Sequence, residues 1–382
     1  MVAIVHESHL CTISLICKPL VTENPLVPRG LTVANRDMQL EALTMALSAG
    51  QNLSRQEASL AAQALADPHL PDEQKKVFLL ALAKKGETAD EVTGFAQTYR
   101  ALARKIDLGD NPSKGIDIVG TGGDKSGSFN ISSTSALIVA AAGVPVIKHG
   151  NRSITSKSGS ADFLAGLGVN LEATDDKIRQ ALHQTNFCYL FAPAFHPAFK
   201  VIAGVRKSIA EKGQKTIFNI LGPLINPAQP AYMMVGVYDE RWVDPIALAL
   251  GELGVRRGLV THTQAGGGMD EVTTAGPVRV RGCGELAKIN ATWLPGDFGF
   301  RQCTLEDLRG GSPEENLSMF SDCLVGAVSE GLMDTLCLSA GTALWVANKV
   351  PHPLDGVKLA REIILQGALR EEVRRVRDVY RD

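Results

Sequence analysis

The sequence predicts an α/β protein with two parts: a small all-helical N-terminal domain, and a large α/β domain with a mostly parallel central sheet flanked by helices. Two observations carry this prediction. Up to about residue 105, apolar residues recur at helical spacing. Beyond the polar linker LGDNPSKG, short β-rich runs alternate with helical runs. Such alternation is typical of a parallel sheet with helices on both faces.

Four helical runs make up the N-terminal part: LEALTMALSAG, SRQEASLAAQALAD, DEQKKVFLLALAKKG and TADEVTGFAQTYRALARK. Their boundaries carry the residues that favour helix ends. Ser54, the Pro71-Asp72 pair and Thr88 stand where N-termini are expected, and Gly50 and Gly86 stand near C-termini. The sequence therefore predicts a compact helical unit before the first strand.

The strand candidates in the second part are GIDIVG, GVPVIKHG, NFCYLFAP, AYMMVGVYD and GLVTHT. The helix candidates are SSTSALIVAAAG, DDKIRQALHQ, VDPIALALGELG and the run from Glu330 to Asn348. In sheets of this kind, ligands bind beyond the carboxyl ends of the strands. The polar and glycine-rich segments that follow the strands are therefore the candidate functional segments.

Composition excludes several classes of protein. The chain of 382 residues has 39 basic and 41 acidic residues and no basic block, so no nucleic-acid partner is expected. Its seven cysteines form no C-x-x-C pair, which favours reduced thiols. The first 20 residues lack the basic start and cleavage site of a signal peptide. No later run is long and apolar enough to span a membrane, so we expect a cytoplasmic protein.

The first candidate segment, Gly120-Thr121-Gly122-Gly123-Asp124, directly follows a buried strand. Glycines let backbone N–H groups approach phosphate oxygens, so the segment indicates an anion site; a plain tight turn is the alternative. Lys125 stands where a dinucleotide fingerprint needs glycine, and no Gly-Lys-Ser/Thr follows, so neither familiar phosphate loop fits.

Two further segments carry hydroxyls and cations. Asn130-Ile131-Ser132-Ser133-Thr134 opens a helix, where such residues are ordinary caps but can also ligate a metal or phosphate. KHGNRSITSKSGSAD, residues 148–162, follows a strand and is rich in lysine and hydroxyl groups. It is either a solvated surface loop or a binding loop delivered to the ligand edge of the sheet.

The remaining candidates are acids and one arginine. Asp270-Glu271 follows three glycines, and the pair is either solvated or a set of oxygen ligands for Mg²⁺ beside phosphates. FNILGPLINP contains turn signals. Arg206 precedes it, and a guanidinium can hold a carboxylate with two hydrogen bonds.

Taken together, the segments GTGGD, NISS, KHGNRSITSKSGSAD, FNILGPLINP and MDE resemble, in order and spacing, those of the anthranilate phosphoribosyltransferases of tryptophan biosynthesis. The resemblance runs from about residue 38 to 370. The KHGNR motif separates the chain from the pyrimidine nucleoside phosphorylases, which share the fold. The implied reaction transfers the 5-phosphoribosyl group from phosphoribosyl pyrophosphate to the amino nitrogen of anthranilate, giving N-(5-phosphoribosyl)anthranilate and pyrophosphate. Two Mg²⁺ ions and a homodimer are also implied.

The resemblance also implies site residues. It assigns phosphoribosyl pyrophosphate to Gly120, Thr121, Gly122, Gly123, Asp124, Ser128, Asn130, Ser132, Ser133, Lys148 and Ser160. It assigns anthranilate to Gly120, His149, Asn151, Arg206, Gly222 and Pro223. It assigns metal to Ser132, Asp270 and Glu271, and the catalytic role to Lys148, Asp270 and Glu271.

From the sequence patterns and the resemblance we predict three parts of the chain. They are an extension over 1–35, a helical domain over 36–110, and a phosphoribosyl pyrophosphate-binding α/β domain over 111–382. By the resemblance, helices near 197–214 return to the helical domain.

The chain departs from the family pattern near the acceptor residues. The stretch SIAEKGQKT is about three residues longer than usual, with Lys215 where arginine is expected, and Phe195 replaces a tyrosine. The segment TQAGGG before Asp270 is extended as well. These departures leave open the same chemistry on a different aromatic or heterocyclic acceptor. A non-catalytic regulatory paralogue is a further alternative, against which the retained charged residues of the donor site argue.

Overall fold

The structure, a computed structural model, describes residues 33–152 and 158–381. Most of the extension predicted over residues 1–35 lies outside the described residues, as do residues 153–157 of the lysine-rich segment. No helix in the described part is long and apolar enough to cross a membrane.

The helices follow the predicted order, with further ones towards the C-terminus. They are α1 (Val33–Ser48), α2 (Arg55–Leu65), α3 (Asp72–Lys85), α4 (Ala89–Leu102), α5 (Ile131–Ala141), α6 (Ser160–Gly166), α7 (Asp175–Thr185), α8 (Ala192–Phe195), α9 (Ala198–Ala210), α10 (Val243–Glu252), α11 (Pro313–Cys323), α12 (Glu330–Val346), α13 (Pro353–Leu365) and α14 (Ala368–Arg381). The sequence patterns did not single out α6, α8, α11, α13 or α14, and α9 was expected only from the resemblance.

One sheet forms the centre of the α/β part. Its strands are β1 (Ile116–Gly120), β2 (Val146–Gly150), β3 (Phe187–Phe191), β4 (Tyr232–Gly236), β5 (Arg257–Thr263), β6 (Val278–Gly284) and β7 (Asn290–Trp293). They lie in the order β3-β2-β1-β4-β5-β6-β7. The first five are parallel, whereas β6 and β7 join antiparallel. The predicted fold class is confirmed.

The helical unit begins and ends its helices where the sequence predicts. Ser54 accepts the Glu57 N–H at 3.3 Å, and the Glu57 carboxylate accepts the Ser54 N–H at 2.8 Å, which is a capping box. Thr88 forms the same motif with Glu91. Gly50 and Gly86 adopt φ of 79° and 89°, which only glycine tolerates without strain.

The helical unit packs directly on the α/β part. Ile202, Val205 and Ile209 of α9 are buried in one apolar cluster with residues of α1 to α4 and of the sheet. Arg100 of α4 is buried, and its guanidinium donates to the Leu224 carbonyl at 2.6 Å. This packing brings α9 against the helical unit, where α3 is its main neighbour. The domain boundaries themselves stay a prediction.

The C-terminal helix α14 contains a buried acid that makes stability depend on pH. Glu372 is 3 % exposed, its Oε2 pairs with Arg375 at 2.8 Å, and its Oε1 has no hydrogen-bond partner in the described chain. Burial raises the pKa of Glu372 to about 7. A folded-state pKa above the unfolded value means that the folded state holds the proton more tightly. Stability is therefore lost as pH rises through the folded pKa.

Glu372→Gln is expected to remove this loss, because glutamine carries no charge to bury. The variant should melt about 2 °C above wild type at pH 8 and show a smaller difference at pH 5. Thermal unfolding at the two pH values measures this, with Glu371→Gln as an exposed control on the same helix. A difference in melting temperature that is equal at both pH values would contradict the assignment of this pH dependence to Glu372.

Candidate active site

The candidate site lies at the carboxyl ends of β1, β2 and β4, where the predicted segments meet. Gly120 ends β1, and Gly122 and Gly123 follow it with φ of 71° and 79°. A Cβ added to Gly120 would lie 2.4 Å from Asp270 Oδ2, and one added to Gly236 would lie 1.7 Å from the Asp270 carbonyl oxygen. Glycine is therefore required at both positions, because the acid loop lies against the strand ends.

The glycine turn and the acid pair are in direct contact. The Gly122 N–H donates to Asp270 Oδ2 at 2.5 Å, and the Ser132 N–H at the start of α5 donates to Glu271 Oε1 at 3.2 Å. Asp270 is buried, with 8 % of its surface exposed, so the alternative of solvated acids on a loop is wrong for this residue.

The acids of the site repel one another electrostatically. Burial, together with the charges of Asp124 and Glu271, raises the pKa of Asp270 well above its usual range. Burial raises the pKa of Glu271 to about 7, against the lowering effect of the Lys148 charge. Asp124 Oδ2 is buried and has no hydrogen-bond donor within the described ranges. Mutual repulsion of these carboxylates, one with an unpaired oxygen, is an electrostatic environment that a cation would relieve.

The donor set suits a hard divalent cation such as Mg²⁺ but supplies only part of its ligands. Within residues 33–152 and 158–381, no three His, Cys, Asp or Glu side chains are grouped closely enough to hold a metal ion. Mg²⁺ bound with phosphates typically takes one or two carboxylates and fills its remaining positions with water and phosphate oxygens. The acid pair fits that pattern.

Lys148 lies inside β2 rather than in the loop after it, and the same holds for His149. The side chain of Lys148 is 1 % exposed, and its Nζ donates to the Ile118 carbonyl of β1 at 2.5 Å. Burial lowers its pKa, whereas the charges of Asp117 and Glu271 raise it. The strand thus fixes a buried cation beside the acid pair, which a solvated loop could not do.

Two residues that sequence reasoning missed hold β2 in place. Asp117 is fully buried in β1, and burial raises its pKa to about 6. Asn226 donates to Asp117 Oδ2 and to the Ile147 carbonyl, each at 2.8 Å. An acid within an otherwise apolar strand was the available signal, because carboxylates are rarely buried without a partner.

The start of α5 contacts the second half of the lysine-rich segment. Asn130 Nδ2 donates to the Ser158 carbonyl at 3.5 Å. The Asn130 Oδ1 accepts from Asn316 Nδ2 of α11 at 2.8 Å, which fixes the orientation of the amide. Ser160 Oγ lies 3.2 Å from the Tyr189 hydroxyl. Neither Asn316 nor Tyr189 was a predicted site residue, because contacts between distant segments leave no local sequence signal.

The other predicted donor residues surround this centre. The Thr121 hydroxyl accepts the Tyr238 N–H at 3.1 Å, and Ser128 Oγ lies 3.1 Å from Ser126 Oγ. Ser133 is buried in α5, and its hydroxyl has no hydrogen-bond partner in the described segments. The structure therefore brings the predicted donor set to one edge of the sheet.

A pair of buried histidines lies beside Lys148. His149 Nε2 is 3.1 Å from His196 Nε2, and both side chains are 3 % exposed. Burial lowers the pKa of His149 well below its usual range, and the charge of His196 adds to this effect; a hydrogen bond to the Gly222 backbone acts in the opposite direction. His149 therefore contacts the Gly222 backbone, and both residues were assigned to the acceptor by the resemblance.

Arg206 lies among aromatic rings without an acidic partner. Its guanidinium carbon is 5.4 Å from the ring centroid of Phe199 and 5.2 Å from that of Phe218. No carboxylate pairs with it in the part of the chain that the structure describes. Asn151, by contrast, is exposed, and its Oδ1 accepts the Arg152 N–H at 2.7 Å, so its side chain is not brought against the other predicted acceptor residues.

Lys215, in the lengthened segment after α9, lies on the donor side of the site. Its Nζ is 3.1 Å from the ring centroid of Tyr238 and donates to the Gly123 carbonyl at 3.3 Å. The sequence placed this departure near the acceptor residues or the metal loop; the structure places its lysine at the glycine turn.

Comparison with known proteins identifies the family. The model of the glycosyl transferase family, a/b domain, matches residues 113–369, and that of the helical bundle domain of this family matches residues 39–103. Anthranilate phosphoribosyltransferase of Afipia carboxidovorans is 40% identical over 333 residues, covering 87% of this chain and 96% of the relative. That of Natronomonas pharaonis is 40% identical over 332 residues, covering 87% and 97%.

Solved structures agree with the sequence relatives. The crystal structure of anthranilate phosphoribosyltransferase from Thermus thermophilus has a TM-score of 0.82 at 38% identity, covering 89% of this chain and 99% of that one. The enzyme from Saccharomyces cerevisiae, solved in complex with PRPP and Mg, shares the fold with a TM-score of 0.79 at 24% identity. The resemblance drawn from the motifs is confirmed, and the chain belongs to the glycosyl transferase family and, within it, to the anthranilate phosphoribosyltransferases.

Proposed function

We propose that this protein transfers the 5-phosphoribosyl group of phosphoribosyl pyrophosphate to the amino nitrogen of anthranilate, releasing pyrophosphate. The observation that carries the proposal is the contact between the glycine turn and the acid pair, with the buried charge of Lys148 close enough to act on Glu271. Gly122 N–H lies 2.5 Å from Asp270, and the charge of Lys148 acts on Glu271. Backbone N–H groups, a buried cation and metal-binding acids are the groups that a diphosphate requires.

In this proposal, Asp270, Glu271 and Ser132 hold Mg²⁺ together with the diphosphate, and two ions are expected. Held by these residues, Mg²⁺ would supply positive charge against the negative charge of the leaving pyrophosphate. Lys148 stabilises the same developing negative charge from its fixed position in β2. The amino group of anthranilate is already a neutral nucleophile, so the protein contributes mainly by positioning it against the anomeric carbon.

The acceptor is proposed to bind between α9 and the Gly222-Pro223 turn. Arg206 is partly buried, and burial lowers its pKa because no acid offsets the loss of solvent. A guanidinium that lacks an acid in the described chain is suited to the carboxylate of an aromatic acid. The rings of Phe199 and Phe218 supply the apolar surface that the benzene ring of such an acid needs.

Arg206→Gln is expected to raise the KM for anthranilate by about 10- to 100-fold, because hydrogen bonds to a charged partner are lost. The KM for phosphoribosyl pyrophosphate should change much less. Initial-rate kinetics with each substrate varied in turn measure both constants. Arg241→Gln, which removes another arginine 4.9 Å from an aromatic ring, is the matched control. Equal changes in the two KM values would remove the assignment of Arg206.

The proposed activity is tested by the loss of anthranilate fluorescence on addition of phosphoribosyl pyrophosphate and Mg²⁺. Turnover that depends on both additions supports the proposal. Pyrophosphate release with another amino-benzoate or heterocyclic acid, but not with anthranilate, would favour the alternative acceptor. Donor binding without pyrophosphate release for every acceptor would favour a regulatory, non-catalytic role.

We also propose a cytoplasmic homodimer that binds neither nucleic acid nor membranes. Met38 and Met45 lie on α1, with 62% and 63% of their surfaces exposed, and Val77 on α3 is 47% exposed. Three large exposed apolar side chains on two neighbouring helices are suited to burial against a second subunit.

A further inference from the structure

Tyr99 of α4 is a buried tyrosine whose hydroxyl is not satisfied by the protein. The residue is 0% exposed, and its hydroxyl oxygen has no hydrogen-bond partner in the residues that the structure describes. Its ring lies 4.9 Å from that of Phe199 and 5.4 Å from that of Phe218, measured between centroids. The ring of Tyr99 therefore packs against Phe199 and Phe218, the two rings that Arg206 also contacts.

Tyr99 and Arg206 each carry a donor without a hydrogen-bond partner in the described residues, and both side chains lie against the same two rings. The Arg206 guanidinium contacts the same two rings, Phe199 and Phe218, at 5.4 and 5.2 Å. It forms no hydrogen bond or ion pair within the described residues, and its charge acts on Tyr99. Burial raises the pKa of Tyr99, so the hydroxyl keeps its proton and remains a donor at neutral pH.

An unpaired buried hydroxyl lowers the stability of the folded protein, and native proteins therefore pair nearly all of their buried polar groups. A ligand that brings an acceptor next to Arg206 would remove this cost. A carboxylate has two oxygens and about four lone-pair positions, enough to accept from a guanidinium and a phenol together. A neutral amide or ester offers a weaker acceptor to the same two donors.

We propose that Tyr99 is an acceptor-binding residue whose hydroxyl donates a hydrogen bond to the carboxylate of the aromatic acid held by Arg206. This inference rests on the proposed function and refines it. Tyr99 then helps to distinguish an aromatic acid from a neutral ring of the same shape. No motif pointed to this residue, because it lies within a helix of the N-terminal unit, far in sequence from the other acceptor residues.

The test compares Tyr99→Phe with wild type in the binding of two ligands, anthranilate and the neutral 2-aminobenzamide, by calorimetric titration. The substitution removes the hydroxyl and keeps the ring that packs on Phe199 and Phe218. Anthranilate should bind about tenfold more weakly, as expected for a lost hydrogen bond to a charged group. Binding of 2-aminobenzamide should weaken by a clearly smaller factor, because its carbonyl is an uncharged and weaker acceptor than a carboxylate.

Tyr380→Phe is the matched control. Tyr380 is another buried tyrosine whose hydroxyl oxygen has no hydrogen-bond partner in the described chain, but it lies on α14. It should leave the binding of both ligands unchanged. The KM for phosphoribosyl pyrophosphate should also stay unchanged in Tyr99→Phe, whereas a purely structural role would alter both substrates and lower the melting temperature.

Equal weakening of both ligands, or no weakening of anthranilate, would overturn the role of Tyr99. The ratio of the two affinities within one variant does not depend on the folded fraction, so a destabilised variant still decides the question. Failure of the proposed function is a separate outcome, because wild-type protein would then bind anthranilate without releasing pyrophosphate.

Discussion

Lys148→Met is expected to lower turnover at saturating substrates by roughly 10²–10³, comparable to removing a preorganised charge-stabilising group. The side chain is 1 % exposed, and strand β2 holds its Nζ 2.5 Å from the Ile118 carbonyl. Because the ammonium is already in place before the reaction, its stabilisation of the leaving pyrophosphate needs no rearrangement. Methionine keeps much of the volume but cannot supply the charge.

The control for Lys148→Met is Lys75→Met. Lys75 of α3 is also 1 % exposed, and it pairs with Asp72 at 3.8 Å. Replacing it tests whether loss of a buried lysine by itself reduces the rate. Steady-state kinetics on the folded fraction of each variant provide the comparison. A near-normal rate in Lys148→Met would exclude its proposed role, as would an equal loss in both variants.

Asp270→Asn is expected to reduce turnover by a similar factor, roughly 10²–10³, for a different reason. The variant loses a carboxylate that accepts the Gly122 N–H at 2.5 Å and that we propose as a metal ligand. Asparagine can still accept that hydrogen bond through its carbonyl oxygen, so the glycine turn should keep its shape. The principal loss is therefore the charge that Mg²⁺ requires.

A metal titration separates this effect from misfolding. In Asp270→Asn, half-maximal activity should need a higher Mg²⁺ concentration than in wild type. Asp334→Asn replaces another buried acid, which lies on α12 and pairs with Arg361, and should leave the Mg²⁺ requirement unchanged. An unaltered Mg²⁺ requirement in Asp270→Asn would refute the proposed metal contact.

Local sequence signals predicted much of the fold. The capping boxes at Ser54 and Thr88 and the positive φ of Gly86 are properties of short segments, so the helices of the N-terminal unit could be located. The five parallel strands were found because buried strands form apolar runs. β7 has three exposed residues and one partly exposed residue out of four, and such a strand carries little apolar pattern.

Site residues held by distant partners were harder to predict. Glycine and acid motifs marked Gly122 and Asp270 individually, but no local pattern shows that they lie 2.5 Å apart. The same limit explains why Asn226, which fixes Asp117, was missed. Tyr99 lies on the buried face of a helix, where an aromatic residue is expected for packing alone. It comes close to Arg206 only because α9 packs against α4, and the local sequence does not show this contact.

A crystal structure of the protein with phosphoribosyl pyrophosphate and Mg²⁺ would show directly whether the glycine turn, Lys148 and the acid pair bind one ligand. We predict one diphosphate between the Gly122 backbone, Lys148 and the acid pair, with the metal on Asp270 and Glu271. A diphosphate bound elsewhere, or metal that does not contact either acid, would contradict it.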